Sequence, residues 1–134
     1  KRLDALVKSE GLSVPAESVA ICGLLHDLCK TGFYKKEMRN MKINGSWQER
    51  PYFSIEDQFP YGHGEKSVFL IERFLRLNTE EAMAIRWHMG GYDDAVKGGS
   101  SAINQAYNLF PLAVCLHIAD VQATYLDEVL PKKE

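Results

Sequence analysis

A histidine, a carboxylate and a lysine lie within five residues of one another at the end of an apolar segment. His26, Asp27 and Lys30 follow the run 19–25, which is almost wholly apolar. An unpaired Asp in apolar surroundings costs several kcal/mol, so its charge must be compensated. A hydrogen-bonded network and a bound metal ion are the two available explanations, and the His-Asp pair alone does not distinguish them.

Helix geometry makes both explanations possible. If the helix continues through this segment, His26 and Lys30 lie one above the other, and Asp27 lies about 100° round the axis. A metal ion beyond the helix end could contact His26 and Asp27, with the Lys30 ammonium near an anion on that metal. In the alternative, His26 is hydrogen-bonded to Asp27 and Lys30 is an exposed charge at the helix C-terminus.

Two further histidines are predicted at helix ends. His63 follows a glycine at the entry to a helix expected over about 65–77, and His88 lies in the last turn of the next helix, before Gly90-Gly91. Turn, capping and helix-dipole roles are the structural alternatives. Because three of the four histidines occupy such positions, we predict that His26, His63 and His88 converge on one cavity.

Asp120 is a second carboxylate within an apolar helical run, 116–121. A buried Asp needs a partner, for which a metal ion is suitable. His117, one turn earlier, is interpreted as a structural or supporting residue. Imidazole and carboxylate ligands together favour one or two divalent transition metal ions, Mn, Fe, Co, Ni or Zn, over Ca.

Length and composition suit one compact domain over residues 1–134. The chain is 46% hydrophobic and 25% charged, with a net charge of −2, which argues against general binding to nucleic acids or anionic membranes. Its three cysteines have no disulfide or zinc-ribbon spacing and are expected to be reduced. No apolar run approaches the roughly 20 residues that span a bilayer, and no signal peptide is visible. These features predict a cytoplasmic protein without a membrane partner.

The periodicity of apolar residues predicts an all-α fold, a bundle of five to six helices. A helix is expected over about 14–29, and a last helical region over 102–130, with Pro111 starting a new helix or kinking a long one. Asn44-Gly45, the strongest short hairpin signal, predicts a small β-hairpin or irregular excursion near residues 36–55.

This excursion concentrates the positive charge of the chain. Residues 30–53 carry a net charge of +4, which leaves about −6 for the remainder. Aromatic residues interleave with the basic ones, so the excursion could hold phosphates and stack on a base. The candidate substrate-binding residues are Lys35, Lys36, Arg39 and Trp47. The alternative is a solvated hairpin whose aromatic residues pack on the helices.

The order of these motifs along the chain resembles that in the HD-domain metal-dependent phosphohydrolase superfamily. The segment from His26 to Lys30 is similar to the family's His-Asp-x-x-Lys segment, and Asp120 is similar to its final metal-binding Asp. His63 and His88 resemble the extra ligands of its binuclear members. The resemblance covers nearly the whole chain except 34–60.

The family pattern also has a histidine earlier than the His-Asp pair, whereas this chain has none before His26. The chain begins at Lys1 in helical period and without a capping residue. We therefore expect that part of the native N-terminal segment is absent from this sequence and that it carries the histidine.

The resemblance implies a helical bundle with metals at its centre. His26, Asp27 and Asp120 would bind one ion, and Asp27 would bridge to a second ion held by His63 and His88. The implied reaction is hydrolysis of a phosphate ester by metal-activated water, with Asp27 and Lys30 as catalytic residues. The basic and aromatic residues of the excursion favour a nucleotide or a nucleic-acid end as the substrate.

Three functions are compatible with this pattern. The first is hydrolysis of a small phosphorylated substrate, a nucleotide. The second is a 3′-end nuclease, for which a nucleic-acid end is the substrate, or a cyclic-nucleotide phosphodiesterase with the same metals. The third is a non-catalytic domain that binds a ligand or a partner. The oligomeric state is not predicted.

Overall fold

The computed structural model describes residues 1–128 of the chain. Seven α-helices and one two-stranded antiparallel sheet form this part of the protein. The helices are α1 (Arg2–Ser9), α2 (Ala16–Leu25), α3 (His63–Ile71), α4 (Thr79–Arg86), α5 (Asp94–Lys97), α6 (Ala102–Leu109) and α7 (Pro111–Gln122). The strands are β1 (Tyr34–Ile43) and β2 (Ser46–Ile55), and short 3₁₀ turns span Leu28–Lys30 and Gly90–Tyr92.

The prediction of an all-α bundle of five to six helices is wrong. The segment between α2 and α3 forms two strands of ten residues each, and the described part of the chain has seven α-helices. The protein is therefore a helix-rich domain of mixed α and β structure. Pro111 separates α6 from α7, which was one of the two alternatives for the last helical region, and the four-residue α5 is the seventh helix.

The excursion predicted near residues 36–55 is a regular hairpin because its turn and its proline are both compatible with pairing. Asn44 and Gly45 have positive φ angles of 50° and 81°, the combination that matches the twist of paired strands. Pro51 lies opposite Met38 in the middle of the ladder. Since both strands of a two-stranded sheet are edge strands, a proline without an N–H group is tolerated there.

The core lies where α7 packs against α1 and α4. Its most deeply buried members include Leu112 and Leu116 of α7 and Ile85 of α4. The hairpin packs mainly on itself and leaves most of its side chains exposed. The helices thus form the framework of the domain, and the hairpin is an appendage to it.

Two predicted helix boundaries differ from the structure in ways that affect the candidate site. Helix α2 ends at Leu25 rather than near residue 29, so His26 caps the helix and Asp27 lies beyond it, at φ −98° and ψ 17°. His26 and Lys30 are therefore not stacked on one helix. The last helical region is broken before Pro111, and residues 129–130 of the predicted span lie outside the described residues.

Asn78 starts α4 with a capping box. Its side chain accepts a hydrogen bond from the Glu81 N–H, and the Glu81 carboxylate accepts one from the Asn78 N–H. We predict that Asn78→Ala lowers the free energy of unfolding by about 1 kcal/mol, because one donor of the first turn loses its acceptor. Urea denaturation measures this change, and an unchanged midpoint would show that the cap is not needed.

Within residues 1–128, no helix alone has the length and apolar character to cross a membrane. Helix α6 and the segment Pro111–Asp127 meet those criteria as a pair, but the pair is bent by 106°. The cytoplasmic location stays a prediction.

Candidate functional site

The side chain of His26 is oriented by the helix that it terminates. Its Nδ1–H donates to the main-chain oxygen of Cys22 at 3.2 Å, one turn back in α2. This bond leaves the lone pair of Nε2 directed away from the helix. Nε2 lies 3.5 Å from Asp120 Oδ1 and 3.7 Å from Asp27 Oδ2.

His88 is oriented in the same way and is completely buried. It follows the C-terminus of α4, where its Nδ1–H donates to the main-chain oxygen of Ile85 at 2.7 Å. Its Nε2 is 3.4 Å from Asp27 Oδ1, and its ring centroid is 5.1 Å from that of His26. Two imidazoles from different helices therefore present their Nε2 atoms to the same carboxylate.

These two Nε2 atoms both lack a hydrogen-bond partner within the described residues, and both are buried. Because each Nδ1 is committed as a donor, each neutral imidazole directs an Nε2 lone pair toward carboxylate oxygens. A nitrogen lone pair and an ionised carboxylate that face each other repel unless a cation lies between them. A proton on His26 and a metal ion are the two candidates for that cation.

The two carboxyl groups are held in their ionised form. Burial alone would raise the pKa of Asp27, but a hydrogen bond from His88, when its Nε2 carries a proton, and the Lys30 ammonium outweigh burial and hold that pKa well below its usual range. The adjacent His26 imidazole lowers the pKa of Asp120. Burial opposes protonation of His26, yet Asp120 and Asp27 outweigh it and raise the pKa of that imidazole. The site is thus electrostatically suited to bind positive charge.

A group of potential metal ligands results from this arrangement. Within residues 1–128, one ligand atom from each of His26, Asp27 and Asp120 lies within 4.8 Å of the other two. His88 adjoins this group through Asp27. We name these four residues the His-Asp cluster. A cavity of about 200 Å³ reaches it, with His26 and Asp120 in its wall.

Lys30 lies beside the cluster. Its ammonium group donates to Asp27 Oδ2 at 2.6 Å, and the side chain is about half exposed, 47%. The Leu28–Lys30 turn that follows α2 brings it there, rather than a continuing helix. Lys30 can therefore contact both Asp27 and an anion that approaches the cluster from solvent.

His63 is not brought to this cluster. It begins α3, where its Nδ1 lies 3.6 Å from Cys29 Sγ and its ring packs edge-on against Phe33. No hydrogen bond or ion pair of the described residues joins it to the His-Asp cluster. The structure thus brings together four of the five predicted ligands and places the fifth in separate surroundings.

His117 supports the cluster from α7. Its Nδ1–H donates to the main-chain oxygen of His88 at 2.8 Å, and Asp120 lies one turn further along the same helix. His117 thereby ties the segment that carries His88 to the helix that carries Asp120. Its spacing from Asp120 was the signal available in the sequence, but the acceptor lies 29 residues away.

The four predicted substrate-binding residues are spread along the hairpin. Lys35 and Lys36 are near its base, Arg39 is in the middle and Trp47 is next to the turn. Lys35 already pairs with Glu56 at 3.0 Å, and the Arg39 guanidinium lies over the Tyr52 ring. Trp47 pairs with Lys42, eight residues beyond Tyr34, so it lies about 26 Å from the hairpin base. The structure does not gather these residues round one small ligand.

Comparisons of this chain with protein-family models, curated proteins and solved structures find no match.

Proposed function

We propose that the protein is a metal-dependent phosphohydrolase that hydrolyses a phosphate ester of a nucleotide. The observation that carries this proposal is the pair of buried Nε2 atoms of His26 and His88, which lack partners and face ionised carboxylates. A divalent cation between His26, Asp27 and Asp120 would satisfy the His26 nitrogen and both carboxylates at once, and the His88 nitrogen faces the other oxygen of Asp27. Without an ion, each nitrogen needs a proton of its own. The resemblance to HD-domain phosphohydrolases provides the reaction class.

The residues that would hold the ion are those of the His-Asp cluster. The Nδ1–H bonds of His26 and His88 to main-chain oxygens fix the tautomer that leaves Nε2 free, as is typical of metal-ligating histidines. When bound, a divalent transition metal such as Mn, Fe, Co, Ni or Zn supplies the Lewis acidity that activates water and neutralises phosphoryl charge. Because His63 lies outside the cluster, the proposal is for a single ion.

Lys30 has a separate role in this proposal. Asp27 orients the ammonium group at the edge of the cluster, where it would offset negative charge on the non-bridging oxygens of a phosphoryl group. Lys36 has no ion-pair partner within residues 1–128, and it lies near the hairpin base, six residues after Lys30. It is the hairpin cation best placed to add to this charge.

The test is activation of stripped protein by metal. We predict that chelator-treated protein does not hydrolyse nucleotide or bis(4-nitrophenyl) phosphate substrates, and that added Mn, Fe, Co, Ni or Zn restores turnover in parallel with binding. Isothermal titration calorimetry measures binding, and release of phosphate or nitrophenolate measures turnover.

The matched control is Asp94→Asn, which removes an exposed carboxylate outside the His-Asp cluster. This variant should bind metal and turn over substrate as the unmodified protein does. Neither metal binding nor turnover with any of the five metals would contradict the proposal and would favour a non-catalytic domain.

A further inference from the structure

One face of the hairpin is exposed and rich in aromatic side chains. Directly paired residues of antiparallel strands point to the same face, and Lys36 pairs with Phe53 and Lys42 with Trp47. We give the name stacking face to six residues of this surface: Tyr34, Lys36, Met38, Lys42, Trp47 and Phe53. Asn40, Glu49, Pro51 and Ile55 lie on the same side of the hairpin. All six side chains are exposed, and Trp47 and Phe53 retain 73% and 69% of their accessible surface.

The charge of the hairpin favours a polyanion as the partner of this face. Residues 34–55 contain five Lys or Arg and two Asp or Glu, a net charge of +3, whereas the rest of the chain carries −5. Within residues 1–128, four of the five cations form no ion pair, the exception being Lys35. Arg39 and Arg50 pair on the opposite face of the hairpin, so the cations of the stacking face itself are Lys36 and Lys42.

The base of the hairpin adjoins the His-Asp cluster. The Phe33 N–H donates to the main-chain oxygen of Lys30 at 3.2 Å, and the Glu56 N–H donates to that of Phe33 at 3.0 Å. These bonds attach the hairpin to the turn that carries Lys30. The stacking face then extends from Tyr34 beside that turn to Trp47, about 26 Å away.

We propose that the stacking face binds single-stranded nucleic acid, with bases stacked on Tyr34, Phe53 and Trp47 and phosphates paired with Lys36 and Lys42. Aromatic side chains interleaved with cations are the recurring solution for unpaired strands, because every base has a stacking surface. A mononucleotide cannot reach both ends of this face, but a strand can. The substrate is then a strand whose phosphodiester or end lies at the His-Asp cluster. This second step rests on the phosphohydrolase proposed above.

A second copy of the hairpin is a less suitable occupant of the same face. Two hairpins that each carry +3 repel each other when their faces meet, whereas a phosphate backbone neutralises Lys36 and Lys42. Self-association is therefore an outcome that the test must detect.

The test measures strand binding without added metal, so that it does not depend on catalysis. Fluorescence anisotropy is recorded with labelled oligothymidylate and oligouridylate of about 4, 8, 12 and 16 nucleotides, a range that covers known site sizes. Affinity should increase with length until the strand spans the face, and it should fall as salt rises from about 50 to 200 mM. The DNA and RNA series identify the preferred strand, and a duplex of equal length should bind more weakly because its bases are not free to stack.

Two variants separate stacking from charge. Trp47→Ala should lower affinity at least about fivefold, while Phe74→Ala, an exposed aromatic residue on the helical body, should not. Lys36→Gln combined with Lys42→Gln should reduce the salt slope by about 1.4, since each cation contributes about 0.7 on single strands. Lys8→Gln combined with Lys97→Gln removes the same charge from exposed helical positions and should leave the slope unchanged. Circular dichroism verifies that each variant is folded.

Equal binding of duplex and single strand, or unchanged affinity of Trp47→Ala, would overturn the proposal. A protein that binds no oligonucleotide but forms a dimer would also overturn it, if sedimentation experiments show that Trp47→Ala dissociates this dimer. Separate titrations of the unmodified protein distinguish this inference from the proposed function, because strand binding is measured without metal and metal binding is measured without a strand. Strand binding without metal binding would refute the phosphohydrolase alone, and metal-dependent turnover of mononucleotides without strand binding would refute only the inference about the stacking face.

Discussion

Replacing Asp27 by Asn is expected to abolish the proposed metal binding and to lower the proposed phosphohydrolase activity by more than about 100-fold, since loss of a supporting partner of a metal ligand already costs 10–100-fold. Asp27 is the residue that connects the cluster: its two oxygens face His26, His88 and the Lys30 ammonium. The amide is nearly isosteric but uncharged, so it changes the charge of the site while the packing is preserved.

The loss is measurable in unfolding experiments as well as in activity. A ligand that binds only the folded state at about 100 times its dissociation constant stabilises a protein by about 2.7 kcal/mol. The unmodified protein should therefore show a higher midpoint of thermal unfolding in Mn or Zn than in chelator. Asp27→Asn should show the same midpoint in both.

Asp94→Asn is the control, because it removes one carboxylate from an exposed position, and it should retain the full metal-dependent shift. Asp120→Asn, which changes the other carboxylate of the cluster, should behave as Asp27→Asn does. If Asp27→Asn retains the shift and the activity, then the His-Asp cluster is a structural network rather than a metal centre.

Replacing Gly64 by Ala is expected to destabilise the protein by about 3 kcal/mol or more, at the upper end of the cost of overpacking. The first turn of α3 passes so close to the end of α4 that a Cβ at residue 64 would lie 1.9 Å from the main-chain oxygen of Arg86. This obstacle is backbone, which cannot rotate away as a side chain could. The two helices would have to separate, and the segment that carries His88 would move with α4.

Gly91→Ala provides the matched control. A Cβ at Gly91 would meet no atom within 4 Å, and the residue does not have a positive φ angle, so the substitution should change stability by less than about 0.5 kcal/mol. Urea denaturation monitored by circular dichroism compares the two variants. Unfolding of Gly64→Ala at the same urea concentration as Gly91→Ala would show that the helices do not approach as closely as described.

Some features of this protein depend on neighbouring residues and could be predicted from the sequence. The chemical types at His26, Asp27 and Asp120, each beside an apolar run, identified groups that need a compensating charge. Asn44-Gly45 marked the position of a turn, because turn preferences are decided within four residues. Whether the excursion is a regular hairpin stayed open, because the tolerance of Pro51 depends on both strands being edges.

Other features depend on how distant elements pack, and only the tertiary structure decided them. His88 lies 61 positions after Asp27 in the sequence, and its contact with that carboxylate depends on the packing of α4 next to α2. The same packing places His63 beside Cys29 rather than in the cluster, although both histidines occupy helix ends. Local patterns determine which residues are polar, helical or turn-forming. The direction of each imidazole lone pair is determined by a main-chain acceptor and by helix packing, which hydrophobic contacts between residues far apart in the chain establish.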